Sequence, residues 1–427
     1  MEKENDSVME FLSCVPLLQR LPSASIRKIS QLVALQNYEA GEFVIAEGSE
    51  VDGIYFILEG EAKVVGSIFL EEEDSLEYRL LKYDYFGAGV SSSIRAPNIV
   101  ALTKLSCLVL PGKYRDLLWP KSIWSAYKTE GSFMEDILHL ESIEFDLFKG
   151  VSLPDAPRFG KVFGGQFMGQ ALAAASKTVD CLKFVHNLHA SFLSVGDLNL
   201  PIIYKVERTR NGKSFAARKV DAVQKGNVVF TLFASFHKEE EGCFHQFGEM
   251  PRVPDPESLL SIEELFERRL VDPLLPRSFR IKQASISKIP WPIEIRFCEL
   301  NLKPDTSKTS PSLSYWFRAR GKLSDDQALH RCVVAYSSDL IFLEVSMNPH
   351  RARGVKHIGP SLNHGMFFHR SFRADEWLLF VIDSPIAYGA RGFVEGKIFS
   401  MKGELVISLY QEGLMRTIIS TSHGSKL

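Results

Sequence analysis

The sequence predicts an α+β protein: short helices and a roll of brief antiparallel strands, followed by a duplicated unit built from one helix and several longer strands. Three observations support this. The stretch QNYEAGEFVIAEGSEVDGIYFILEGEAKVV (36–65) alternates apolar and polar residues between turn signals at Ala40-Gly41, Glu47-Gly48, Asp52-Gly53 and Glu59-Gly60. The segment from His189 to Phe236 recurs in outline from His369 to Gly413, with Ser191-Phe192 and Ser371-Phe372 near the openings and Lys225-Gly226 and Lys402-Gly403 before the last strands. After those turns VVFTLFASF faces LVISLYQEG, so Gln411 stands where the first copy has Ala234. One copy has kept polar chemistry that the other has lost.

In chain order, residues 8–35 have the apolar spacing of short helices, with Ser23 or Ser25 as N-caps before IRKISQLVAL. Residues 116–135 read as a helical connector ending near Gly131. KVFGGQFMGQALAAASKTV (161–179) sets two glycines before a helix of small residues. Helix starts carry unpaired N–H groups that can polarise an acceptor oxygen, so Gly164 and Gly165 are oxyanion candidates; tight packing inside a curved sheet explains them equally well. A composition break at 238–290, with KEEEG, MPRVPDPES and SIEELFERRL, reads as a linker between the copies. LHRCVVAYSSDLIFL (329–343) is expected to be a buried helix with Asp339 near its end, a carboxylate that needs partners or a function. GPSLNHGMFFHRSF (359–372) brings in Ser361, Asn363, His364 and His369. The chain has no GxSxG elbow and no HExxH pair, so a serine triad and a metal centre are both disfavoured, and the two histidines read as structural.

Composition narrows the function. The 427 residues are 45% hydrophobic, enough for two or three ordinary cores. Fifty Lys and Arg against 52 Asp and Glu leave a net charge of −2, which offers no electrostatic footprint for nucleic acid. Six cysteines without a CxxC pair suggest reduced, mostly buried thiols. The acidic start MEKENDSVMEFLS lacks the apolar core of a secretion signal, and no run reaches the length of a membrane span. Ser425-Lys426-Leu427 is the tripeptide recognised by the peroxisomal import receptor, on a tail of small and polar residues.

Two resemblances add to this. With Gly41, Gly48 and Gly60 at strand turns, residues 36–110 resemble a cyclic-nucleotide-binding domain; in YFGAGVSSSIRAPNIVALTKLSCLVL (85–110), Arg95 fits the family's phosphate-gripping arginine. Ala88 stands where that family has a glutamate for the ribose, and the segment from Gly87 to Arg95 is short, so a β-roll kept for packing is favoured over ligand binding. Farther on, VFGGQFMGQAL, RARGKLSDD, AYSSDLIFL, NHGMFFHR and YQEGLMR, in this order, resemble the acyl-CoA thioesterase II family. That resemblance implies a double hotdog, two long helices wrapped by antiparallel sheet, with catalytic Asp339, Ser361 and Gln411 attacking fatty acyl-CoA through an activated water, and no cofactor. Combined with the N-terminal domain it is similar to plant peroxisomal members, which implies a peroxisomal matrix enzyme and a homo-oligomer. RARGVK (351–356) is a possible contact for CoA phosphates, although a solvated charge run explains it more simply. The expected division is 1–120 for the cyclic-nucleotide-binding-like domain, 121–136 connector, 137–240 first repeat, 241–290 linker, 291–420 second repeat and 421–427 tail. Two alternatives are a hydroxyacyl-CoA dehydratase, which usually wants a paired Asp and His that AYSSDLIFL lacks, and a noncatalytic acyl-CoA or cyclic-nucleotide sensor.

Overall fold

The computed structural model describes residues 2–18, 21, 23–46, 49, 51–65, 78–87, 98–118, 132–154, 160–180, 182–273, 275, 277–284, 291–298, 310–351 and 357–417. The chain divides into two compact units, one of residues 1–128 with 262–290 and one of 129–261 with 291–427. Arg95, Ala88, residues 352–356 and the Ser425-Lys426-Leu427 tripeptide lie outside the described residues.

The first unit holds two four-stranded antiparallel sheets among the described residues. One orders Ala34–Tyr38, Leu105–Pro111, Gly53–Glu59 and Tyr85–Gly87; the other orders Phe43–Ile45, Asn98–Ala101, Ala62–Val65 and Arg79–Leu80. Their inward residues, including Ile57, Phe86 and Cys107 from the first and Val64, Leu80 and Ile99 from the second, form one core, as a β-roll requires. The helical expectation for 8–35 holds for Glu2–Ser13 and Ser23–Ser30 but fails at its end. Ala34–Tyr38 is a strand paired with Leu105–Val109, because an edge position in the sheet outweighs a weak helical pattern.

A larger correction concerns the supposed linker. Helices Ile262–Val271 and Arg277–Ala284 belong to the first unit, where Leu270, Val271 and Ala284 share a core with Phe11, Leu12, Ile29 and Phe56. Arg280, 2% exposed, donates to the Tyr85 carbonyl, the Tyr85 hydroxyl donates back to the Arg280 carbonyl at 3.1 Å, and Arg277 grips Asp84 at 2.6 and 2.9 Å. The charges in SIEELFERRL obscured its apolar positions. Residues 239–261 are also engaged: the Trp316 indole donates to the Pro254 carbonyl, the Trp377 indole to Glu257, and Gln246 bonds Gly403 and Leu405.

The second unit is a twelve-stranded antiparallel sheet, among the described residues, around two helices, α1 (Gly164–Ser176) and α2 (Gln327–Ser337). Its strands β1 (Lys183–Phe192), β2 (Ile202–Asn211), β3 (Phe215–Gln224) and β4 (Asn227–Lys238) are matched by β5 (Ser361–Phe368), β6 (Leu378–Tyr388), β7 (Arg391–Ser400) and β8 (Leu405–Leu414). From one edge the order is 293–297, 312–319, β6, β7, β8, β5, β1, β4, β3, β2, 147–150 and 141–144. The two copies join where β1 pairs with β5. This is the double hotdog.

The helices meet through glycine. A Cβ on Gly165 would collide with the Tyr336 carbonyl, and one on Gly169 would lie 3.1 Å from the Cys332 carbonyl and 2.6 Å from Leu138. Two glycines one turn apart therefore give α1 a bare face on which α2 rests. The cap of α2 is Asp326, whose side chain accepts from the Ala328 N–H at 2.8 Å.

Strand registers refine the internal repeat. Gly226 and Gly403 both have positive φ and close equivalent hairpins, so Ala234 and Gln411 do correspond. Leu188 faces Ala234 and His364 faces Gln411, which equates Leu188 with His364 and Val185 with Ser361. Each of these strands bulges at the next residue, His186 and Leu362 respectively. The apparent match of Ser191-Phe192 with Ser371-Phe372 is four residues out of register; His189 corresponds to Gly365 and not to His369.

Candidate active site

Three elements deliver the three polar residues to one point. Asp339 follows the C-cap of α2, Ser361 opens β5, and Gln411 lies on the inward row of β8 with Ile407, Leu409 and Gly413. Strict alternation along β5 from His364, Met366 and Phe368 would send Leu362 inward and Ser361 outward. The bulge at Leu362 changes that parity, and the Ser361 hydroxyl reaches Asp339. The Gln411 amide Nε2 donates to Asp339 Oδ1 at 2.6 Å and to Ser361 Oγ at 2.8 Å, while Ser361 Oγ donates to the same Asp339 oxygen at 3.4 Å.

Electrostatics set Asp339 apart from ordinary aspartates. Burial of its carboxyl raises the pKa from 3.8 to about 6, against the opposing pull of the Gln411 and Ser361 bonds, a Gly165 backbone N–H and the charge of Lys161. Desolvation outweighs these bonds and disfavours the charged form. Among the described residues Oδ1 takes both side-chain bonds, and Oδ2 faces Gly164, where a Cβ would collide with it and with the Phe192 ring. Glycine there lets the carboxylate pack directly against the first turn of α1. Gln411 Oε1 is buried and has no hydrogen-bond partner among the described residues.

The other sequence candidates fall into place around this cluster. Gly164 and Gly165 are at the first turn of α1, beside Asp339, but the Gly165 N–H is directed to the Asp339 carboxylate, and only Gly164 is left as an oxyanion donor. Buried His364 contacts the Ser338 hydroxyl at 3.3 Å, and burial lowers its pKa to about 3, so it is neutral at any working pH. His369 contacts the Ser408 hydroxyl at 2.9 Å, and Asn363 donates to Glu412 at 3.4 Å. Among the described residues no group of three His, Cys, Asp or Glu is placed to hold a metal. Sequence reasoning missed Lys161 and Phe192, although both lie in stretches already singled out, because their role depends on loop geometry.

The corresponding positions of the first copy carry none of this chemistry. Val185 replaces Ser361, Ala234 replaces Gln411, and Thr178 follows the C-cap of α1 as Asp339 follows that of α2. The Thr178 hydroxyl donates to the Ala175 carbonyl and accepts from Arg218. The polar cluster is present in one copy and its counterpart is missing from the other.

A model of the acyl-CoA thioesterase family matches residues 286–414, and one of the acyl-CoA thioesterase N-terminal domain matches 153–237. Human acyl-coenzyme A thioesterase 8 is 40% identical over 282 residues, covering 66% of this chain and 88% of the human protein. The chain belongs to the acyl-CoA thioesterase family. A structure of the family's TesB2 member from Mycobacterium marinum aligns with a TM-score of 0.54 at 39% identity, covering 67% of this chain and 98% of that one. The Saccharomyces cerevisiae peroxisomal acyl-coenzyme A thioester hydrolase 1 is 28% identical over 334 residues, or 68% of this chain and 96% of the yeast protein. Residues 35–116 separately match the cyclic nucleotide-binding domain model.

Proposed function

We propose that the chain hydrolyses fatty acyl-CoA to free acid and CoA by direct attack of a water that Asp339 activates. Its membership of a thioesterase family gives the reaction class. The observation that carries the mechanism is the single carboxylate, raised to about 6, with one oxygen held by Gln411 and Ser361 and the other set against Gly164 at the first turn of α1. A base of this kind is ionised at neutral pH and still close enough in pKa to accept a proton efficiently. The water's oxygen bonds to the thioester carbon as its proton passes to Asp339, and the carbonyl oxygen becomes an oxyanion against the Gly164 N–H at the positive end of α1. Collapse breaks the carbon–sulfur bond. A thiol with a pKa of ~8.5 leaves readily as thiolate and takes the proton back from Asp339, so no separate acid is required. Neutral His364, bonded to Ser338, plays no part in proton transfer.

Purified protein should release free thiol from a chain-length series of acyl-CoAs, and no acyl adduct of the protein should appear by mass spectrometry during single turnover. A trapped acyl-enzyme would replace the direct mechanism with a covalent one, and the absence of thiol release from every acyl-CoA would leave the sensor alternative.

The proposal includes a peroxisomal matrix location, supported by the name of the yeast relative, with import through Ser425-Lys426-Leu427. Removing those three residues from a fluorescent fusion should return it to the cytosol. It also includes a homo-oligomer. Exposed Phe233 and Phe367 lie on the outer face of the sheet near His189 and Tyr410, an apolar patch suited to a second copy. Light scattering should give a mass above that of the 48.1 kDa chain.

A further inference from the structure

We infer that the polar cavity beside the first turn of α1 is where the phosphates of CoA are held, with Lys161 and Lys225 as its cations. The inference rests on the hydrolase reading and adds an entrance to it. The cavity, about 420 Å³, is lined by Ser152, Lys161, Gly196, Asp197, Asn199 and Lys225 among others.

Its position follows from contacts already tied to the reaction centre. Lys161 stands two residues before Phe163, the N-cap of α1. Val162 donates its N–H to the Gly196 carbonyl at 3.1 Å, and Gly196 packs so closely on Val162 and Phe167 that a Cβ would come within 2.7–2.8 Å of them. The loop carrying Gly196 begins just after Phe192, whose ring abuts Gly164 next to Asp339. The short segment that enters α1 therefore presents Gly164 to the carboxylate and Lys161 to the cavity. The two regions also feel each other electrostatically, since the charge of Lys161 lowers the Asp339 pKa.

Charge and polarity select the occupant. Lys161 is exposed and forms no ion pair among the described residues. Lys225 is held by Asp197 at 3.1 Å, and that carboxylate also accepts the Asn199 N–H at 3.0 Å, which fixes the lysine at the rim. The lining is mostly polar, so an acyl chain gains little there. CoA carries its thioester at one end and its phosphates at the other; with the thioester carbon at Asp339, the phosphates belong at an open, cationic mouth. Lysine, a compact point charge, suits an exposed phosphate.

The test compares the same acyl chain as its CoA ester and as its pantetheine thioester, which lacks the nucleotide phosphates. At pH 8, above the titration of Asp339, the loss of Lys161's influence on that residue does not enter kcat. Both lysines are exposed, so neither substitution threatens folding. Lys161→Ala should raise KM for the CoA ester about ten-fold with little change in kcat, the scale of one charge-assisted bond. Addition of Lys225→Ala should raise it further, and the preference for CoA over pantetheine ester should fall in step. An unchanged preference in the double variant would overturn the assignment while leaving the hydrolase intact. Failure of the parent on both esters would remove the hydrolase reading itself, and this inference with it.

Discussion

Asp339→Asn keeps the size and the Gln411 bond site of the carboxylate but removes its basicity, and kcat should fall on the order of 10²-fold or more. The same substitution has a predicted stability signature. Because the folded pKa is raised, the folded state binds this proton more tightly than the unfolded chain does. Stability from this group is therefore present at low pH and is lost as pH rises from about 4 to about 6. At pH 8 the folded protein carries a buried charge that asparagine lacks, so Asp339→Asn should melt several degrees higher than the parent while being nearly inactive. Equal or lower melting would show that the carboxylate is not strained by burial. Gln411→Ala removes a bond that pulls the pKa down, and the midpoint of its kcat–pH curve should move above the parent's value of about 6. Gly164→Ala should cost at least ten-fold in kcat, since its methyl collides with Asp339 Oδ2 and displaces the base. A near-parental rate in that variant would show that the reaction does not need the carboxylate held against α1.

Secondary-structure elements explain both what the sequence disclosed and what it withheld. The turn glycines, the small-residue helix and the hairpin that aligns Gln411 with Ala234 were all legible, because φ > 0 and close approach restrict residue choice locally. The register of the repeat was not. Similar residues at Ser191-Phe192 and Ser371-Phe372 suggested a match four positions out, and only the strand pairing corrects it. Nor could a periodicity argument show that a bulge at Leu362 turns Ser361 inward, since alternation predicts the opposite. Asp339, Ser361 and Gln411 were found through an ordered set of motifs, whereas the Gly165 N–H bond to Asp339 needed three-dimensional placement. The helix pair gives a test at this scale. Gly169→Leu should destabilise the protein by about 1–3 kcal/mol in urea, because Leu138 and the Cys332 carbonyl already occupy the space. No change in midpoint would mean that α1 and α2 are not in close contact.

At the scale of the whole chain, the two units are interleaved. The N-terminal unit draws helices Ile262–Val271 and Arg277–Ala284 from between the two hotdog repeats, so three crossings join it to the catalytic unit. A linker by position is a structural part by packing, and composition could not show it because charged and apolar residues alternate there at helical spacing. Deleting residues 1–128 strips the partners from Leu270, Val271 and Ala284, and the truncated protein should aggregate. Replacing 262–290 with a short flexible loop in the same truncation should restore solubility. A soluble, active fragment with 262–290 intact would contradict this account of the first unit.

The most direct test of the central claim is kcat for thiol release from an acyl-CoA, measured from pH 4.5 to 8.5 in the parent and in Asp339→Asn. The parent should rise through a single ionisation near about 6 and stay level above it, while the variant should be slower by on the order of 10²-fold or more, without that ionisation. Equal rates, or the same ionisation in both proteins, would show that a group other than Asp339 activates the water.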